Sequence, residues 1–217
     1  MTRTAYNGCV DSRVREARRL LDRYIQEIVE SFDLCPWARA ARTGGELAVD
    51  ILWDTPTLDA WFAAAEALLA RPGTRVAMVV APELAVTPAE LRAIRADVAA
   101  RVAIAGVADF HPDAPLDRAT PARLVPYLRR SPDPMLQLVP HELLASVRTP
   151  AVRYATLDQL QMLRDLAPAP KGDIGDRIAA ANHDRVTRDI AAVEARLADI
   201  RADRDASYAR AGIRTFR

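Results

Sequence analysis

Apolar residues recur at three- and four-residue spacing through Val14, Ala17, Leu20, Leu21, Tyr24, Ile25, Ile28 and Val29, with arginines and acids between them, predicting an amphipathic helix over residues 11–32. Asp33-Leu34-Cys35-Pro36 breaks that pattern, and Pro36 suits the first position of a short helix over 37–42. Strand-length apolar runs follow at 47–53, 76–81, 104–110 and 135–139. The run at 76–81 is continuously apolar, the mark of a strand buried on both faces. Helical patterns fill the intervals at 55–71, 87–102 and 121–129, and continue at 140–147 and 156–166. Thr87, Pro88 and Glu90 form a capping-box signature at the second interval.

Ala167-Pro168-Ala169-Pro170-Lys171-Gly172 reads as a linker. Beyond it, Val186, Ile190, Val193, Leu197 and Ile200 alternate spacings of four and three along a long helix. Such a seam packs either on its own domain or on a second copy as a dimer helix. The chain therefore divides into an α/β domain over 11–166 and a C-terminal helical extension over 173–210. Alternating strands and helices predict a mixed sheet of about four strands with flanking helices. A ferredoxin-like α/β plait is the alternative, because the last strand can return antiparallel.

Composition narrows the function classes. Thirty basic and 29 acidic residues give a net charge of +1, and Lys171 is the sole lysine, so nothing argues for a nucleic-acid partner. No apolar run approaches the roughly 20 residues of a bilayer span, and residues 1–10 lack a signal-peptide core. A cytoplasmic protein without a membrane partner is expected. The two cysteines, Cys9 and Cys35, suggest no disulfide scaffold in that compartment.

Chemistry concentrates in three islands. Cys35 precedes a helix start, where a helix dipole favours thiolate, the nucleophilic and metal-ligating form. Cys35-Pro36 also matches the pattern by which a cysteine ligates haem iron. His111 closes a predicted buried strand, the end of an α/β sheet where ligands bind, and Pro112 sets the direction of the chain after it. Arg129-Arg130-Ser131-Pro132-Asp133-Pro134 is stiffened by two prolines and can aim Arg130 and Ser131 at an anion. No Gly-rich phosphate loop, Gly-x-Ser-x-Gly elbow or His-Glu-x-x-His is present.

In order and spacing the islands resemble a bacterial family, domain-of-unknown-function family fourteen-fifteen. Its motifs Asn-Leu-Cys-Pro-Phe-Ala, Ser-Phe-His-Pro and Asn-Arg-Ser-Pro-Tyr-Pro-Met-Leu-His-Leu match residues 34–38, 109–112 and 130–138. The family's Phe, Tyr and second His are here Trp37, Asp133 and Gln137. The resemblance spans about residues 14–166, leaves out the C-terminal helix and implies that Cys35, His111 and Arg130 converge. It implies no reaction. The expectation is a small-molecule enzyme with Cys35 and His111 catalytic and Arg130, Ser131 and Trp37 holding substrate. A haem or transition-metal protein using Cys35 or His111 as ligand, and a non-catalytic module dimerising through the C-terminal helix, are the alternatives.

Overall fold

The computed structural model describes residues 3–35, 38–148 and 174–215. The expected helix at 156–166, the linker and the domain boundary between 166 and 173 lie outside these residues. So does Trp37.

Strands β1 (Leu47–Ile51), β2 (Val76–Val80), β3 (Ala105–Phe110) and β4 (Met135–Pro140) form one sheet in the order β1-β2-β4-β3. β1 and β2 pair in parallel, joined by the crossover helix α3 (Leu58–Leu69). β4 runs antiparallel to both β2 and β3 and separates them. The sheet is therefore mixed, as expected, and β2 is an interior strand. Thr57 caps α3, and Thr87 with Glu90 closes a full capping box on α4 (Pro88–Arg101).

Alternation along the strands divides the sheet into two faces. Ala77, Val79, Leu136, Leu138 and Val107 pack under α3 and α4 with Trp61, Leu68, Leu91 and Val98. Val49, Met78, Val80, Met135 and Phe110 face the other layer. That layer holds α1 (Arg3–Tyr24), its π-helical continuation Ile25–Glu30, α5 (Pro121–Leu128) and a 38-residue C-terminal helix. Between them lie α2 (Ala38–Thr43) and α6 (His141–Arg148), so the C-terminal helix, Ile174–Ala211, is α7.

The seam predicted on α7 is buried within its own chain. Val186, Val193 and Ile200 join Leu21, Tyr24 and Ile28 of the N-terminal helix in one core, with Ile190 and Leu197 packed against it. Further along, Tyr208 and Ile213 close a second cluster with Ala17 and Leu20. Val186, Val193 and Ile200 are covered by the chain itself, while Ile190 and Leu197 stay partly exposed. The helix kinks at Asp189, whose backbone leaves helical geometry between two of the seam residues.

Charges lace α1 to α7. Asp203 accepts both terminal nitrogens of Arg19 at 2.7 and 2.9 Å and Arg23 at 2.5 Å. Arg19 above all, then Arg23, holds its carboxyl down to about 2. A carboxylate with a lowered folded-state pKa stabilises fully above its unfolded value, roughly 3.9, and loses that contribution as pH falls through the folded value. Unfolding free energy is therefore expected to drop as pH falls from about 4 to about 2. Asp203→Asn should flatten the slope by about 1–2 kcal/mol, because the pair is partly solvated. Urea titrations at each pH test this; an unchanged slope in the variant refutes it.

Candidate active site

A cavity of about 300 Å3 lies between the sheet and the α1/α7 layer. Its walls are mostly apolar: Ile25 and Val29, Leu47, Val76 and Met78, Ala108 and Phe110, and Val125 and Leu128. Five polar side chains interrupt them, from Tyr24, Cys35, Arg129, Gln137 and Asn182. The volume is at the lower end of ligand clefts, roughly 300–1,000 Å3, and the mix of apolar wall with few polar groups is that of a small-molecule site.

Local structure explains how Cys35 comes to line it. The α-helical pattern of α1 widens to π-helix at Ile25–Glu30, so Ser31 N–H donates to the Gln26 carbonyl at 3.1 Å. Such widened turns recur at functional sites. Asp33 then adopts a left-handed conformation (φ 49°), and Leu34 N–H reaches back to the Val29 carbonyl at 2.8 Å. Aspartate tolerates that region better than most residues. The C-terminal helix clamps this turn. Asn182 Nδ2 donates to the Leu34 carbonyl at 2.9 Å, and Arg185 donates to the carbonyls of Phe32 and Asp33 at 3.1 and 2.7 Å. On the other side Arg42 of α2 grips Glu30, its Nε donating to Oε1 at 2.6 Å. That hydrogen bond keeps the Glu30 carboxyl below its usual range.

Tyr24 is fully buried, and its hydroxyl donates to the Leu128 carbonyl at 3.3 Å. Burial pushes its pKa well above the usual phenol range; Arg129 opposes the rise and Cys35 adds to it. The phenol therefore stays protonated at neutral pH. Burial pushes the Arg129 guanidinium down from its ordinary value, with Asp109 and Tyr24 acting against the shift.

His111 does not share this cavity with Cys35. It bounds a separate recess of about 80 Å3 with Pro88, Arg92, Asp109 and Pro126, and Arg129 borders both spaces. The reason is strand parity. Phe110 points to the Cys35 side, so the next residue continues the opposite alternation of Val107 and Asp109, toward α4. There Asp113 N–H donates to His111 Nδ1 at 3.0 Å, so Nε2 carries the proton and donates to the Val86 carbonyl at 2.8 Å. At 5% exposure, with both nitrogens engaged, this ring ties the loop after β3 to the start of α4.

Arg130 and Ser131 also open elsewhere. They border a recess of about 260 Å3 with Pro112, Glu194 and Arg201. Arg130 Nε donates to the Ala114 carbonyl at 2.6 Å, and its guanidinium stacks 4.7 Å over the Tyr127 ring. Ser131 is buried, and its hydroxyl donates to the Asp133 carbonyl at 2.5 Å. The expected convergence of Cys35, His111 and Arg130 is thus replaced by that of their neighbours: Cys35, Phe110, Arg129 and Gln137. Parity along β3 and β4 was the available signal for Phe110 and Gln137, since Phe110 pairs with Met135 and Ala108 with Gln137. Tyr24 and Asn182 carried no such signal, lying within ordinary amphipathic helices.

Position 137 brings the Gln137 amide to the cavity. The described lining residues include no imidazole and no carboxylate. Among the described residues no three His, Cys, Asp or Glu side chains gather as a metal site. Among them, too, no helix is long and apolar enough to cross a membrane. Compared with family models, with curated proteins and with solved structures, the chain matches none.

Proposed function

We propose that the protein binds a small organic molecule in the cavity between its sheet and the α1/α7 helices, with Cys35 as the group that contacts and can bond to it. The observation that carries this reading is the lining itself: a mostly apolar space of about 300 Å3 bordered by a thiol, a guanidinium and two amides. Tyr24 stays protonated, which leaves Cys35 as the nucleophile among these side chains. His111 and Arg130 serve the fold around the site, and Arg129 takes the position assigned to the cationic clamp. The motifs shared with family fourteen-fifteen then matter through Cys35, Phe110 and position 137. A working thiol suits the reducing cytoplasm, where we place the protein.

Alkylation of Cys35 by iodoacetamide, in a Cys9→Ser background, tests the reading. Saturating 1-octanol is expected to slow labelling about tenfold by occupying the cavity. Ala108→Leu fills the same space from β3 and should remove the protection while leaving the urea midpoint nearly unchanged. Protection that persists in Ala108→Leu, or none in the parent, would refute it.

A further inference from the structure

We propose that Arg129 is the receptor for an anionic head group, and that the molecule taken by the cavity is a monoanionic carboxylate with an apolar body. This rests on the cavity being a small-molecule site.

The argument starts from how the chain treats its other arginines. Arg13, Arg19, Arg23, Arg42 and Arg204 each hold a carboxylate within 2.9 Å. Arg129 is half-buried at the C-terminal end of α5, yet among the described residues its guanidinium has neither a hydrogen-bond partner nor an ion-pair partner. Its one ring contact is a distant one with Phe110, at 5.7 Å. Asp109 attracts it from beyond pairing distance, but Arg95 sits 3.6 Å from that carboxylate and repels Arg129 in turn. A desolvated cation without a partner is costly, so its retention beside an apolar cavity calls for an anion that arrives from outside.

The rest of the lining sets the charge and shape of that anion. Arg129 is the sole charged side chain among the described lining residues. One guanidinium matches a carboxylate in charge and in its two-pronged geometry, whereas a phosphate dianion would keep a buried charge uncompensated. Asn182 commits one of its two amide hydrogens to the Leu34 carbonyl, and the Gln137 amide can serve the same head group as Arg129. Met78, Val125 and Leu128 then offer only apolar surface to the remainder of the molecule.

Titration calorimetry of the full-length protein with octanoate and with 1-octanol, matched in chain length and differing in charge, tests this. Octanoate should bind about tenfold or more tightly than octanol, and Arg129→Gln should abolish that preference. Arg129→Lys should keep part of it, since the charge remains and the fork is lost. Equal affinities for the unaltered protein, or a preference that survives in Arg129→Gln, would overturn the proposal. The comparison on the unaltered chain decides even if a variant misfolds. Octanol binding that protects Cys35 without any gain for octanoate would defeat the carboxylate assignment and leave the cavity reading standing. Failure of both probes to bind or protect would defeat both.

Discussion

A chain ending at Gly172 is expected not to fold. Such a truncation removes Val186, Val193, Ile200 and Ile213, each at most 4% exposed, together with the fully buried Tyr208. Burial of a Val or Ile side chain contributes about 1.5–3 kcal/mol, so these aliphatic groups alone supply roughly 6–12 kcal/mol. That is comparable to the whole stability of a typical domain, about 5–15 kcal/mol. Truncation also uncovers Leu21, Tyr24 and Ile28 on the N-terminal helix and withdraws Asn182 from the turn that carries Cys35. Near-ultraviolet circular dichroism and urea unfolding of the truncated chain should show neither fixed aromatic packing nor a cooperative transition. A native-like spectrum with a sharp transition would mean that the helix is an accessory rather than part of the core.

Loss of a single carboxylate should come next in effect. Asp133→Ala is expected to cost about 3–5 kcal/mol, which for a chain of this length lowers the melting temperature by about 10 °C. Asp133 is 3% exposed and accepts Arg204 Nε at 2.7 Å and the Tyr208 hydroxyl at 2.6 Å. Arg204 also donates to the Pro82 carbonyl at 3.2 Å, so the network joins the loop before β4, the end of β2 and the C-terminal helix. Removing the acid strands a buried guanidinium and a buried phenol together. Asp133→Leu combined with Arg204→Met should cost less than Asp133→Ala alone, because both charges leave together. A loss under about 1 kcal/mol for Asp133→Ala, measured by urea unfolding, would contradict this account.

The same contact anchors the C-terminal helix to the loop before β4. A stiff Pro132-Asp133-Pro134 segment reads in sequence as a support that aims Arg130 and Ser131 at an anion. In the folded protein it faces inward, because its partners Arg204 and Tyr208 lie some 70 residues further along the chain.

Periodicity was enough to place the strands, the helices between them and the capping box at Thr87 within a few residues, because those features depend on local spacing and backbone chemistry. It also marked the α7 seam as a buried face, since an apolar stripe demands cover wherever it occurs. What covered that seam could not be read locally. The answer is a helix at the opposite end of the chain, chosen by shape and by the Arg19, Arg23 and Asp203 pairing.

The site divides in the same way. Cys35 stood out because Pro36 and the interrupted helix around it are local signals. Whether Arg129 or Arg130 faces the cavity depends on the backbone leaving helical geometry at Arg129, where the period of α5 no longer predicts direction. His111 and Phe110, adjacent in sequence, go to opposite faces because a strand alternates its side chains, and only the assembled sheet decides which face holds the cavity. The sequence by itself determined the elements, the two faces of each strand and the cysteine at the helix break, all set by interactions within a few residues. The tertiary structure alone decided which of those faces enclose a space and which cation is left without a partner inside it, because cavities and charge pairing are properties of residues distant in the chain.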